Sequence, residues 1–492
     1  FLFVNLKFCS GLKYTHAIIC NFTRNPDLKR NKQLFSLLSS TLLICLIPST
    51  VVLASTDAFQ RAQVGPVGLL KDPWEILYAP NGKLWVTERS KGEVSEVDPQ
   101  TGVKRKLLKI EDVYPFVGQA GLLGMDHHPN LGKGVNEDWV YLTYTYQSGD
   151  RPFQRLVRYR YENLNDLGQF VDPEVLLENL PSGNDHISGR LKVGPDNKIY
   201  LTIGDLGANQ FGNKCQPVES QRIPTSEEIQ QQDWSAYKGK ILRIDLDGSI
   251  PSDNPEVSGV LSHIFSYGHR NAQGLAFSKN GYLFSFEHGP KSDDEVNRIE
   301  AGMNYGWPHI AGRQDDQAYS YCNWSSHRKC DALKFSDYFC PKSIVTKPES
   351  DWYHPNFREP IQTFFTVNND HNFRQHSCGH EFICWPTVAT SSLAIYESET
   401  IANWSSSLLV VSLKHGQLYR LKLDNSLTTV YETPELLLRT QNRYRDIAIH
   451  PNGKAFYIIT DSEGLTQAFA GGSTSKLHHP GTILRFSYHP EK

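Results

Sequence analysis

The sequence predicts an all-β fold, a six-bladed β-propeller of four-stranded antiparallel blades. Three observations carry this reading. A turn-and-strand unit recurs along the chain, long helical periodicity is scarce between its copies, and no linker divides the chain after residue 60. The copies are APNGKLWVTE at 79–88, GPDNKIYLTIG at 194–204, SKNGYLFSF at 278–286 and HPNGKAFYIIT at 450–460. Each pairs an Asn-Gly or Asp-Asn turn with a run of aromatic and β-branched residues, the signature of a hairpin feeding a strand. His128-Pro129-Asn130, ahead of WVYLTYTY at 139–146, is a further copy with a longer loop. Recurrent four-stranded units read as a propeller, and six blades suit 492 residues. A β-sandwich also repeats such turns, but at this length it would divide into domains. The 36 Gly and 27 Pro suit a fold of many turns.

The N-terminal part reads differently. Residues 1–28 carry no Met and are expected to be over-extended leader or a fragment edge. From 29 to 54, Lys29, Arg30 and Lys32 precede an apolar run closed by Ala54, as in a signal peptide. Ser36, Ser39, Thr41 and Pro48 make that run too polar for a stable membrane anchor. The propeller is expected over 60–492, with an irregular inserted loop region at about 313–360. The leader is basic, so the remainder is more acidic than the whole chain's formal charge of −3, which argues against a nucleic-acid partner. Of nine cysteines, Cys9, Cys20 and Cys45 lie in the leader. The remaining six suit disulfides in a periplasmic or secreted product. Only Cys378 and Cys384 are near enough in sequence to pair by inspection. Asn323 and Asn403 begin glycosylation sequons, relevant only in a host that uses them.

A propeller gathers loops from distant parts of the chain at one end of its channel. Four loop segments carry chemistry. Asp185 and His186, in LPSGNDHISGR, offer a general base, and Asp205 in TIGDLGANQ stands where it could orient the imidazole. Arg270 and Asn271, in YGHRNAQGLAF, suit polarisation of a carbonyl or binding of an anion. Gly289-Pro290 offers backbone carbonyls ahead of the acids Asp293, Asp294 and Glu295. These are hard oxygen donors of the kind calcium takes, although a solvated acidic turn reads the same way. Lys414, Arg443 and Arg445 could join Arg270 in a pocket for a polyanion, with Trp385 and Thr387 adding a stacking face and a hydroxyl.

Eight motifs follow in order: VGQAGLLG, NDHISGRLKVGPDNKIYLTIGD, GHRNAQGLAF, HGPKSDDE, NYGWP, CWPTVA, SLKHG and NRYRD. Together, from about residue 65 to the end, they resemble the soluble pyrroloquinoline-quinone (PQQ) glucose dehydrogenases of the glucose/sorbosone dehydrogenase group. The resemblance implies a six-bladed propeller with PQQ in the channel above a Ca²⁺ ion. His186 would take the proton of the sugar C1 hydroxyl, Asp205 would orient it, and Arg270 and Asn271 would hold the quinone oxygens. Gln119 and Asp185 would contact sugar and cofactor, with Gln210 nearby. Lys414, Arg443 and Arg445 would pair with the PQQ carboxylates, flanked by Trp385 and Thr387. Gly289 and Pro290 would give carbonyls to the catalytic Ca²⁺. Asp294, Glu295, Tyr305, Ala311, Asp315 and Glu349 would supply a structural calcium group. The implied partners are an aldose and an external electron acceptor, with a homodimer left open.

Four departures from that pattern stand out. The Cys378–Cys384 segment is one residue shorter, Phe382 replaces a tyrosine, Ile187 replaces a glutamine, and Arg313 replaces an aromatic residue. They bear on sugar preference and calcium-site detail. Two other functions compete. A calcium-dependent propeller lactonase would need no cation cluster, and a non-catalytic sugar- or protein-binding propeller would not need His186.

Overall fold

The computed structural model describes residues 58–114, 118–164, 167–374 and 376–490. The leader and signal segment expected over 1–54, with Cys9, Cys20 and Cys45, lie outside the described residues. Six four-stranded antiparallel sheets form a six-bladed β-propeller. The innermost strands are Pro73–Tyr78, Leu122–His127, Ser188–Val193, Ala272–Phe277, Thr390–Tyr396 and Tyr444–Ile449. Each packs against the next, and the sixth packs against the first. The ring is closed by pairing the N-terminal strand Phe59–Val64 with the C-terminal strand Ile483–Tyr488, in register from Phe59 opposite Tyr488.

The hairpin turns lead into the second strand of their blades, as the sequence pattern requires. Those strands are buried at every position in Leu84–Glu88, Leu283–Glu287 and Ala455–Thr460, rather than on alternate residues. A blade is covered on both faces by its neighbours, so both sides of the strand meet apolar surface. Trp85 of the first blade shows this, packing on Tyr161 and Phe170 of the second at ring distances of 5.0 and 5.1 Å.

The channel axis is bound by charge. Arg190, on the third inner strand, is fully buried. Its guanidinium donates to Glu75 of the first blade (2.5 Å), Gln273 O of the fourth (2.8 Å) and Ser391 O of the fifth (3.2 Å), and pairs with Asp446 of the sixth at 3.2 Å. It also lies over the Trp74 ring at 4.0 Å. One side chain thus joins five of the six blades.

Every inner strand has a register irregularity against its neighbour near its start, for example between Ser188 and Leu191 and between Ala272 and Gly274. Bulges re-aim side chains where a strand leaves regular pairing. In an antiparallel blade, the start of the first strand and the end of the second lie at the same end. Loops at these two places therefore converge on one face of the ring.

Between Ile299 and Gln362 the fourth blade is interrupted by a long, mostly irregular segment with one short pair, Tyr321–Cys322 against Thr346–Lys347. Disulfides Cys322–Cys340 within it and Cys215–Cys330 to the loop of the third blade tie it down. Cys378–Cys384 is also formed. Among the described residues, no helix is long and apolar enough to cross a membrane.

Candidate active site

The two convergent loop positions carry the site. Gln119, Asp185, His186, Arg270, Asn271, Thr387, Arg443 and Arg445 lie at or just before the start of an inner strand, and Asp205 and Lys414 lie just past the end of a second strand. A cavity of about 510 Å³ is lined by Gln119, Asp185, His186, Gln210, Arg270, Gly289, Pro290, Trp385, Thr387, Lys414 and Arg443. A neighbouring cavity of about 300 Å³ shares Gln119, His288 and Arg443 with it and adds Arg445.

His186 is the chemical centre. Its Nδ1 lies 2.7 Å from Asp205 Oδ1, and its Nε2 lies 3.3 Å from the amide nitrogen of Gln210. A carboxylate accepts, so Nδ1 carries the proton. The Gln210 amide donates, so Nε2 presents its lone pair. This is the tautomer a general base needs. Asp205 is held in turn by Gly207 N at 2.9 Å and by the Trp307 indole N–H at 2.8 Å. His186 sits at φ +43°, a left-handed conformation that costs free energy in a residue with a Cβ. A Cβ on Gly204 would fall 1.8 Å from the His186 carbonyl oxygen, so the loop closes this tightly only over glycine.

A polar chain runs along the cavity wall. Gln119 donates to Asp185 (2.8 Å), Gln210 donates to Asp185 (3.2 Å), and Arg270 donates to Gln210 (3.1 Å). Buried Glu287 accepts from the backbone N–H of Arg270 and Asn271, fixing the turn that carries both. The Asn271 oxygen accepts from Ser188 (3.0 Å) and Gln273 (2.9 Å), which turns its NH₂ group away from them. Arg270 Nε is buried with no hydrogen-bond partner among the described residues.

Three further cations line the two cavities. Lys414 donates to Trp385 O at 3.0 Å and to the Thr387 hydroxyl, and burial pulls its pKa down to about 8. Arg443 and Arg445 share one carboxylate, Asp461, at 2.8 and 2.7 Å. Burial raises the Asp461 carboxyl, but Arg445 and Arg443 outweigh it and hold the group down to about 2. His288 is kept neutral by burial and then by Arg270, His186, Arg445 and Lys414 around it.

The residues named for calcium separate into groups. Gly289 and Pro290 line the cavity wall, in a turn so tight that a Cβ on Gly289 would lie 1.9 Å from Ser292 O. Asp294 lies behind them with both oxygens occupied, accepting from Gly289 N (2.9 Å), Val388 N and Ala389 N (both 2.8 Å). Burial raises its pKa to about 6. Glu295 pairs in register with Glu287, and burial followed by Glu287 and Asp293 drives its pKa well up. Tyr305 stacks on His269 and donates to Arg298 O. Ala311, Asp315 and Glu349 do converge, since Glu349 accepts from the backbone N–H of Ala311 (2.9 Å) and Asp315 (3.3 Å). Among the described residues, no group of three or more His, Cys, Asp or Glu side chains is arranged to hold a metal ion.

Trp307, Glu287, His288, Asp461 and Arg89 were not singled out by sequence. Arg89, His288 and Asp461 each directly follow a second strand. Superposing the four turn-and-strand copies puts Arg89 and His288 at one position and Asp205 and Asp461 one residue further on.

A propeller that brings an acid-paired imidazole to a cavity lined by cations has the parts of an enzyme site. The chain belongs to the Glucose / Sorbosone dehydrogenase family, whose pattern it matches over residues 70–343 and 367–467, and it is an oxidoreductase. It is 39% identical over 454 residues to quinoprotein glucose dehydrogenase B of Acinetobacter calcoaceticus, covering 90% of this chain and 94% of that one. Aldose sugar dehydrogenase YliI of Escherichia coli is 27% identical over 404 residues, covering 80% and 89%. The solved PQQ-bound aldose sugar dehydrogenase of Streptomyces coelicolor shares the fold, with a TM-score of 0.58 at 24% identity, covering 87% and 98%.

The cavity fits a planar polyanion. Arg270, Lys414 and Arg443 line it, Arg443 and Arg445 share a single carboxylate, and Arg270 Nε has no hydrogen-bond partner among the described residues. For calcium the fit is one of donor type. The carbonyls of Gly289 and Pro290 are hard oxygens at the cavity wall, and Asp294 behind them accepts from three backbone N–H groups.

Proposed function

We propose that the protein is an exported, PQQ- and calcium-dependent dehydrogenase that oxidises the C1 hydroxyl of an aldose to the lactone and passes the electrons to an external acceptor. One observation carries the reading: the acid-paired His186 presents its unprotonated Nε2 to a cavity that Arg270, Lys414 and Arg443 also line. The name of the 39% identical Acinetobacter relative supports a quinone cofactor and a sugar substrate. Three disulfides support export, with the signal over 29–54.

In this mechanism the aldose binds with its C1 hydroxyl against His186 Nε2. The wall formed by Gln119, Asp185 and Gln210 hydrogen-bonds its remaining hydroxyls. His186 removes the hydroxyl proton as the hydride leaves C1, and the imidazolium that forms is stabilised by Asp205. Trp307 and Gly207 N keep Asp205 in place, so the imidazole does not rotate. When bound, PQQ supplies the quinone that accepts the hydride, and calcium at the Gly289 and Pro290 carbonyls supplies Lewis-acid polarisation. Lys414, Arg443 and Arg445 hold the cofactor carboxylates, with Trp385 and Thr387 beside them, and Arg270 and Asn271 direct donors at its oxygens. A lactonase would have no use for the cation cluster.

His186→Ala tests the reading. It is expected to retain PQQ and calcium binding while slowing the reduction of bound PQQ by roughly 10²–10⁴-fold in stopped flow. Asp205→Asn is expected to give a smaller loss. A His186→Ala protein that binds PQQ and reduces it at the wild-type rate would remove the base from the mechanism.

A further inference from the structure

The first or second residue past the second strand of a blade supplies a site group in four blades: Asp205, His288, Lys414 and Asp461. In the first blade this position is Arg89. Its side chain lines the 300 Å³ cavity together with Arg443 and Arg445. Among the described residues it forms no ion pair. It donates to Gly118 O and, at 3.4 Å, to Ala120 O. The acids of that cavity are otherwise engaged. Asp461 is bound by Arg443 and Arg445, while Asp72 and Glu463 lie 3.4 and 3.9 Å from Lys71. Burial, and then Arg445, depresses the Arg89 pKa against the pull of Asp461 and Asp72.

We propose that Arg89 completes a three-guanidinium carboxylate-binding site with Arg443 and Arg445, and that the group it takes is a carboxylate of the polyanionic cofactor. This rests on the PQQ reading above. Arg443 lines both cavities, so a carboxylate bound by Arg443 belongs to the same cluster. Guanidinium forks suit carboxylates, and the mutual repulsion of three clustered forks is relieved when an anion binds among them.

Titration of PQQ into calcium-loaded apo-protein, followed by fluorescence quenching, tests this without turnover. Arg89→Gln keeps a donor for Gly118 O but removes the charge, and it is expected to weaken PQQ binding roughly ten- to a hundredfold. Arg89→Lys, which keeps charge without the fork, is expected to fall between. Thermal unfolding of the apo variants is expected to match wild type. Wild-type affinity in both variants overturns the assignment, as does a loss accompanied by an equal drop in apo stability, which would make Arg89 a structural clamp on residues 118–120. Failure of the wild-type protein itself to bind PQQ would instead overturn the function proposed above.

Discussion

The molecule buries two clusters of charge, and they are built on opposite terms. At the axle, Arg190 and Lys192 meet Glu75 and Asp446 with contacts of 2.5, 2.8 and 3.2 Å. Cation and acid are matched one for one, and the remaining guanidinium N–H groups reach backbone carbonyls. At the cavities, Arg443 and Arg445 share the one carboxylate of Asp461, Lys414 is drawn to Asp294, and Arg89 forms no ion pair among the described residues, although Asp461 and Asp72 act on it. A buried charge without a partner is destabilising, so a protein keeps such an excess only where something else neutralises it. The axle is neutralised by the fold and the cavity by a ligand, which then stabilises the folded state by binding it.

The sharpest way to break that contrast is at the axle. Arg190→Met is expected to destabilise the apo-protein by about 3–5 kcal/mol, because it strands Asp446 in the core and leaves Glu75 with Lys192 alone. Urea unfolding reads this directly. Burial already pushes the Glu75 carboxyl up to about 7 against the pull of Arg190 and Lys192, so removing Arg190 is expected to drive it higher. A variant within 1 kcal/mol of wild type would show that the axle charges do not brace the ring.

Arg443→Met makes the complementary test. Asp461 keeps Arg445, at 2.7 and 2.9 Å, so no charge is stranded. Apo stability is expected to hold or to rise by ~0.5–2 kcal/mol, the usual direction when a strained functional group is removed. PQQ affinity, measured by isothermal titration, is expected to fall roughly ten- to a hundredfold. A fall in apo stability with intact PQQ binding would place Arg443 with the axle residues.

The same distinction governs what the sequence revealed. Hairpin turns are local, so 79–88, 194–204, 278–286 and 450–460 announced blades on their own. Ring closure was silent, because Phe59–Val64 and Ile483–Tyr488 carry no mark that they pair with each other. Arg190 reads in sequence as one cation in SGRLK, and its burial follows only from the convergence of five blades. Loop residues were legible where an unusual side chain sits among glycines, as with Asp185 and His186. Trp307 was not, since an indole in NYGWP reads as packing until its N–H is seen on Asp205. Ile187, noted as a departure beside the base, is buried against Trp74, Ala120 and Leu123 rather than facing the cavity. Phe382 does line the cavity, in the loop closed by Cys378–Cys384.

The smallest effect is a pH dependence that only an unneutralised cation can produce. Burial lowers Lys414 to about 8, whereas in the unfolded chain it titrates near the ordinary lysine value of ~10.4. Between those values the unfolded state binds the proton more readily, so apo stability is expected to rise as pH increases through that window. PQQ binding is expected to move the other way. An anion favours the charged amine, so above about pH 8 binding must take up a proton, and affinity is expected to fall by up to about tenfold per pH unit. Lys414→Met removes the titrating group and is expected to flatten both trends. The axle offers no such opposition, because burial is outweighed there by Glu75 and Asp126, which raise the Lys192 pKa whether or not a ligand is present. Apo unfolding and PQQ titration between pH 7 and 10 would separate the two cases. Parallel rather than opposed trends in the wild-type protein would mean that Lys414 is neutralised within the fold, and that the excess of positive charge lies elsewhere.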